Sequence, residues 1–219
     1  MKIDDLEMLS TMIDLQDIVT DPGDIYISPD DVMIGAGVSG DLENTFPIPD
    51  CDKCNKKCCP AGIELSILDV ARFIDAGLEK SIVGTFEGYM DFARSKASFQ
   101  VMKRPAPHIA AKPGMMGCRF LDGNGRCGIY EIRPPVCQAF PLSLRQNEDG
   151  NMLVEWRTIC YDYVISSDRA AFQQLFDNAV WVSNEWIRNH LLLMYARDEL
   201  REMGFDKYLG SEENWLRQK

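Results

Sequence analysis

Eight cysteines set in two blocks constrain this 219-residue chain more than any other feature. The first block is compact: Cys51, Cys54, Cys58 and Cys59, in the run C-D-K-C-N-K-K-C-C. The second is dispersed: Cys118, Cys127, Cys137 and Cys160. A chain of this length buries enough apolar surface to fold without disulfides, and thiols stay reduced inside a cell. Four thiols crowded into nine residues then call for something that binds them, a metal ion or an iron–sulfur cluster. Whatever fold the chain adopts has to bring these sulfurs to common points, and all eight are candidate ligands.

The spacing indicates how they group. Cys51 and Cys54 stand three apart, which puts two sulfurs on one side of a tight turn with backbone N–H groups aimed at them. Cys58 or Cys59 closes that arc. Neighbouring side chains diverge, so the other one bridges, reaches a second site or stays a free thiol. In the second block, Cys118 and Cys127 flank the turn signal Asp122-Gly123-Asn124-Gly125 and should lie close together. Cys137 precedes and Cys160 follows a predicted hairpin, with strands over 140–146 and 152–159, so these two are also expected to converge. The arithmetic allows two four-thiolate sites. Arg119, Arg126 and Arg133 are expected to offset thiolate charge, and Phe120, Ile129, Tyr130 and Phe140 to exclude water. His108, in a proline-rich basic stretch, is a ligand or a surface residue; His190, in a helical stretch, is expected to be structural. A calcium loop starting at Asp122 fails, because Cys127 would take its glycine position and Arg133 its closing glutamate position.

Charge narrows the partners. Residues 1–50 hold twelve acids against the single base Lys2, which equals the whole chain's net charge of −11. Repulsion disfavours nucleic acid and anionic membranes. The acidic segment is either a solvated face that keeps the chain soluble or a docking surface for a basic protein partner. Residues 92–121 carry no acid and six bases, and would pair with that segment or meet an anion. Met1-Lys2 leads into acids rather than an apolar leader, and the apolar run at 191–196 is too short to span a bilayer, so the expected location is cytoplasmic.

The rest of the sequence reads as mainly helical. Helices are expected over 3–20, from the capping signal Ser66-x-x-Asp69 to Gly77, over 85–97, and beyond Ser166 in two stretches, one through Phe172, Leu175, Phe176, Ala179 and Val182 and one over 186–203. The run Gly35-Ala36-Gly37-Val38-Ser39-Gly40 spells a dinucleotide-binding fingerprint. No crossover helix fits before Pro47 and Pro49, so it is read as a glycine loop. The fold class is α+β, mainly helical: a small cysteine-rich metal-binding core with a β-hairpin, packed by helices. Its segments are an acidic 1–50, a cysteine core at 51–165 and a helical 166–219 that packs on the core as one globular unit.

From Cys51 to Cys59, through Leu65-Ser66-Ile67-Leu68-Asp69, and then from Cys118-Arg119-Phe120-Leu121 and Gly125-Arg126-Cys127-Gly128-Ile129-Tyr130-Glu131-Ile132-Arg133-Pro134-Pro135-Val136-Cys137-Gln138-Ala139-Phe140-Pro141, the chain resembles the CxxCxxCC cysteine-cluster family of YkgJ-like proteins. The resemblance spans roughly residues 50–160 and departs twice: three residues instead of two precede Cys58-Cys59, and Gln138 stands where an arginine is usual. It implies zinc or iron chelation by the cysteines. Flagellin lysine N-methylases carry a related cluster and use S-adenosylmethionine, but no catalytic residue transfers from them. Three functions follow as expectations. The first is a metal-cluster-binding protein, its cofactor an iron–sulfur cluster of [4Fe–4S] type, with a redox or cluster-handling role. The second is a zinc-stabilised interaction module. The third is an S-adenosylmethionine-dependent protein lysine N-methylase.

Overall fold

The structure, a computed structural model, describes residues 3–12, 46–50, 63–86, 106–112, 117–146, 152–156 and 163–210. These form a mixed helical and stranded molecule, as the sequence predicts, with five α-helices and three two-stranded antiparallel sheets. Among the described residues, no helix is long and apolar enough to cross a membrane.

Helix α1 spans Ile3–Met12 and buries Leu6 completely against α2 and α4. The helix expected to run on to residue 20 is described only to Met12; Ile13 and Ile18 lie outside the described residues, as does the glycine run at 35–40. Helix α2, Ile67–Asp75, starts where the capping signal predicts. Ser66 Oγ accepts from the Asp69 N–H (3.0 Å) while Asp69 Oδ2 accepts from the Ser66 N–H (3.2 Å), satisfying two backbone donors reciprocally. The helix ends on Gly77 at φ +71°, a left-handed conformation that a side chain would strain. There the N–H groups of Gly77 and Leu78 turn back to Ile74 O (2.9 Å) and Phe73 O (2.7 Å). Between these stops Ile67, Leu68, Val70, Ala71 and Phe73 face inward.

Helix α4, Arg169–Tyr195, is the longest element, 27 residues or about 40 Å. Its N-cap Asp168 accepts from the Ala171 N–H at 3.0 Å. The two helical stretches expected after Ser166 are thus one helix as far as Tyr195. The chain breaks instead at Ala196 (φ −124°), then forms α5, Arg197–Glu202, and turns at Gly204 (φ +87°). Phe172, Leu175, Phe176 and Ala179 are buried as predicted. The main core gathers Leu6, Leu65, Phe73, Leu192, Leu200, Phe205 and Leu209 from α1, α2, α4, α5 and the chain beyond.

The strands are short. The predicted hairpin is present as β4, Leu142–Gln146, paired with β5, Met152–Trp156. Strand β2, Ile82–Val83, pairs with β3, His108–Ile109, inside a stretch the prolines marked as loop. Strand β1, Phe46–Pro49, pairs with β6, Tyr163–Ser166. The sequence hides this pair, because two of the four β1 residues are proline, which a strand tolerates only at a sheet edge. The helix expected to begin at residue 85 does not begin there: Thr85 and Phe86 are irregular, Phe86 is buried, and its N–H bonds to Tyr208 O at 2.7 Å.

Candidate metal centre

Cys118 and Cys127 lie at the two feet of a closed turn. Leu121 pairs with Cys127 across it, Gly128 N–H bonds to Phe120 O (2.8 Å), and Asp122 N–H bonds to Arg126 O (2.9 Å). Asp122 Oδ1 accepts from both the Asn124 and Arg126 N–H groups at 2.8 Å. Its carboxylate therefore shapes the turn, and these bonds hold it below the usual carboxylate range. Gly125 takes the left-handed position at φ +75°. The far foot is anchored to β3's extension, where Cys118 pairs with Ala111 and Lys112 N–H meets Gly117 O (2.9 Å). Phe120 lies edge-on to Phe73, ring centres 6.0 Å apart, and so ties the turn to the core.

Cys137 comes from a different element. A 3-10 turn, Tyr130–Ile132, leads to α3, Pro135–Ala139, with proline in the first turn, where its missing N–H costs nothing. Helix α3 lies along α4, and Asn178 Nδ2 reaches Gln138 O at 3.4 Å. Gln138, standing where the family pattern has arginine, donates from Nε2 to Arg133 O at 3.0 Å and so closes the segment between Arg133 and Cys137.

The three thiols are free, and they sense one another. Burial pushes Cys137 up to about 12, with the Cys118 and Cys127 thiols and the Asp69 carboxylate adding to the rise and Arg133 opposing it. Burial likewise raises Cys118, and Cys127 adds to it. The Phe120 N–H, hydrogen-bonded to the Cys118 sulfur, and the Arg119 charge oppose it. Such N–H···S bonds and nearby arginines favour the thiolate, the form a metal takes. Arg119 and Arg133 thus oppose the rise at Cys118 and Cys137, whereas Arg126 acts on Asp122, first through its backbone N–H. Phe120 and Ile129 pack against the core edge beside Cys118. Tyr130 does not exclude water: it is 55% exposed and lies under the Arg133 guanidinium, 3.9 Å from ring centre to Cζ. Among the described residues, no three His, Cys, Asp or Glu side chains are closed tightly enough to hold an ion. The three half-buried thiols lie within electrostatic reach of one another. Thiolate ligands suit zinc or iron–sulfur clusters over hard cations.

Cys51, Cys54, Cys58, Cys59 and Cys160 lie outside the described residues. Among the described residues, Pro49 pairs with Tyr163, so β1 ends and β6 begins at the same end of their ladder. His108 sits in β3, half-buried, with Nδ1 3.3 Å from Ala106 O. His190 belongs to α4.

The family model CxxCxxCC, described as "Putative zinc- or iron-chelating domain", matches residues 50–161. The chain belongs to the CxxCxxCC family. No solved structure matches it. The matched domain contains all eight cysteines, α2 and α3, and it stops before α4 begins at Arg169.

Sequence reading missed a buried polar cluster beside this centre. Arg72 on α2 donates from Nη1 to Asp69 Oδ1 (3.0 Å) and Glu185 Oε1 (3.0 Å), and its Nη2 pairs with Glu185 Oε2 (2.8 Å). Ser66 Oγ donates to Glu185, and Asn189 Oδ1 accepts from the Ile67 N–H at 2.7 Å. Burial and the Glu185 carboxylate raise the Asp69 pKa, against the pull of Arg72. The available signal was a glutamate and an asparagine four apart on the inward stripe of α4, where apolar residues were expected.

Proposed function

We propose that the chain holds an iron–sulfur cluster of [4Fe–4S] type on cysteine thiolates and serves electron transfer or the handling of clusters. The supporting observation is that Cys118, Cys127 and Cys137, from a turn and a separate helix, are half-buried free thiols within electrostatic reach of one another and of Arg119 and Arg133. The proposed ligands are drawn from these three together with Cys51, Cys54, Cys58, Cys59 and Cys160. An iron–sulfur centre supplies one-electron chemistry when bound. This chain's own part is to surrender the thiol protons, to donate the Phe120 N–H to sulfur and to keep water from the Cys137 side through α3 and α4. Because burial pushes the Cys137 thiol up to about 12, its ligation releases a proton and loading strengthens as pH rises.

Zinc is the second reading, favoured by the family's description and by the suitability of four-thiolate sets for structural zinc. Anaerobic purification with iron, zinc and acid-labile sulfide analysis separates the two. A brown protein with iron and sulfide in equal amounts supports the cluster, and a colourless protein with stoichiometric zinc transfers the proposal to the second reading. Chain that takes up neither, even after reconstitution, overturns both.

A further inference from the structure

We propose that Glu185 and Asn189 of α4, outside the matched family domain, position the metal centre by fixing the N-terminus of α2 to the same helix that holds α3, the carrier of Cys137. This inference rests on the metal-binding reading above. Both residues are as buried as the apolar core, with Glu185 3% and Asn189 0% exposed. Polar groups occupy such positions at a cost that only specific partners offset. Asn189 spends its carbonyl on the Ile67 N–H, one of the donors at the start of α2 left without a helical partner. Glu185 receives the Ser66 hydroxyl and two arms of the Arg72 guanidinium. Asp69 completes that arrangement, its Oδ1 accepting from Arg72 Nη1 at 3.0 Å, and from the same helix Phe73 lies edge-on to Phe120 of the cysteine turn, ring centres 6.0 Å apart.

The same helix holds the second part. Asn178 of α4 meets α3 at Gln138, next to Cys137. Asn178 and Glu185 are two turns apart, about 10 Å along a continuous helix. Helix α4 is thus a ruler with α3 fastened at one mark and α2 at the next. The placement of α2, with the Cys118 turn packed on its Phe73, relative to α3 and Cys137 follows from that ruler and not from the family domain alone. Residues that orient ligands from behind typically change metal affinity about 10–100-fold when removed.

The test uses the full-length chain with zinc, and then cobalt(II) as a spectroscopic stand-in. Zinc affinity is measured by chelator competition for the wild type, Glu185→Gln, Glu185→Leu, Asn189→Leu and the core control Leu200→Ala, which loses apolar packing and none of these bonds. The expected result is a graded loss: about tenfold for Glu185→Gln, which keeps an acceptor for Ser66, and more for Glu185→Leu and Asn189→Leu. The thiolate-to-cobalt charge-transfer band should weaken in step. Leu200→Ala should lower the melting temperature with affinity and band intact. If the Glu185 and Asn189 variants match the wild type, or lose no more affinity than Leu200→Ala, the inference is overturned while metal binding stands. If the wild type binds no zinc, cobalt or iron, the metal reading itself falls.

Discussion

Two clusters of reactive side chains, one buried and one half-buried, lie side by side in this molecule, and they handle the cost of burial differently. In the α2–α4 cluster, Arg72 stands between Asp69 and Glu185, so opposite charges are in contact and the helix N-terminus is capped in the same stroke. In the turn-and-α3 cluster, Cys118, Cys127 and Cys137 are three groups of one kind, and burial, together with the neighbouring thiols, makes Cys118 and Cys137 harder to ionise. Opposite charge reaches them from Arg119 and Arg133 only at longer range, through solvent-facing side chains. The first cluster draws its partners from the protein itself and leaves only the Asn189 Nδ2 donor, among the bonds described, without one. The second has the chemistry of a ligand set, whose stabilising partner is a cation.

The comparison can be broken at either cluster. The largest effect is expected for Cys137→Ser. If the trio holds metal, this variant loses most of its metal and on the order of 5 kcal/mol of stability, which in a chain of this size is a fall of ~10–20 °C in melting temperature. Metal analysis and calorimetry on one preparation check both, and unchanged metal content would detach Cys137 from the site. Next is Arg72→Leu, which leaves two carboxylates buried face to face. Chemical denaturation should show a loss of about 3 kcal/mol, while saturating metal still fills the centre. Equal stability would mean the carboxylates do not depend on Arg72.

A smaller and pH-dependent effect belongs to Asp69→Asn. The folded Asp69 keeps its proton to higher pH than an unfolded aspartate does. The folded state therefore binds more protons above the usual carboxylate range, and the wild type's stability falls as pH rises through that window. Relative to the wild type, Asp69→Asn should be near parity at pH 4 and gain on the order of 1 kcal/mol by pH 8. A difference that does not move with pH would contradict the burial of a raised carboxyl. The smallest effect is Gly125→Ala, which forces a side chain into φ +75° in the cysteine turn and costs about 1 kcal/mol. Its metal content should hold, with faster loss to a chelator.

What was legible in the sequence was local. The capping pair Ser66 and Asp69, the Asp122–Gly125 turn and the β4–β5 hairpin each announce themselves within a few residues, and each is where it was expected. Helix α4 was read as two pieces because Ser183-Asn184-Glu185 interrupts its apolar period. The interruption is an ion pair occupying an apolar slot, since Glu185 turns inward to Arg72 more than a hundred residues away in sequence. The break at Ala196 carries no glycine or proline to mark it. It is held from a distance by Arg197, whose Nη2 donates to Leu209 O and Gly210 O at 2.6 and 2.9 Å. The β1–β6 pairing was hidden by Pro47 and Pro49. The cysteine pattern displayed the donor atoms plainly; that Cys137 meets Cys118 and Cys127 depends on α3 lying along α4, which no local pattern encodes.

The most direct test of the central claim is the ratio of iron, sulfide and zinc to chain in protein purified without oxygen, set beside the number of thiols that react under native conditions. The account predicts bound metal, with iron and sulfide near four of each per cluster, and Cys118, Cys127 and Cys137 protected from alkylation until the metal is stripped. Metal-free protein whose three thiols alkylate at the same rate before and after chelator treatment would contradict it.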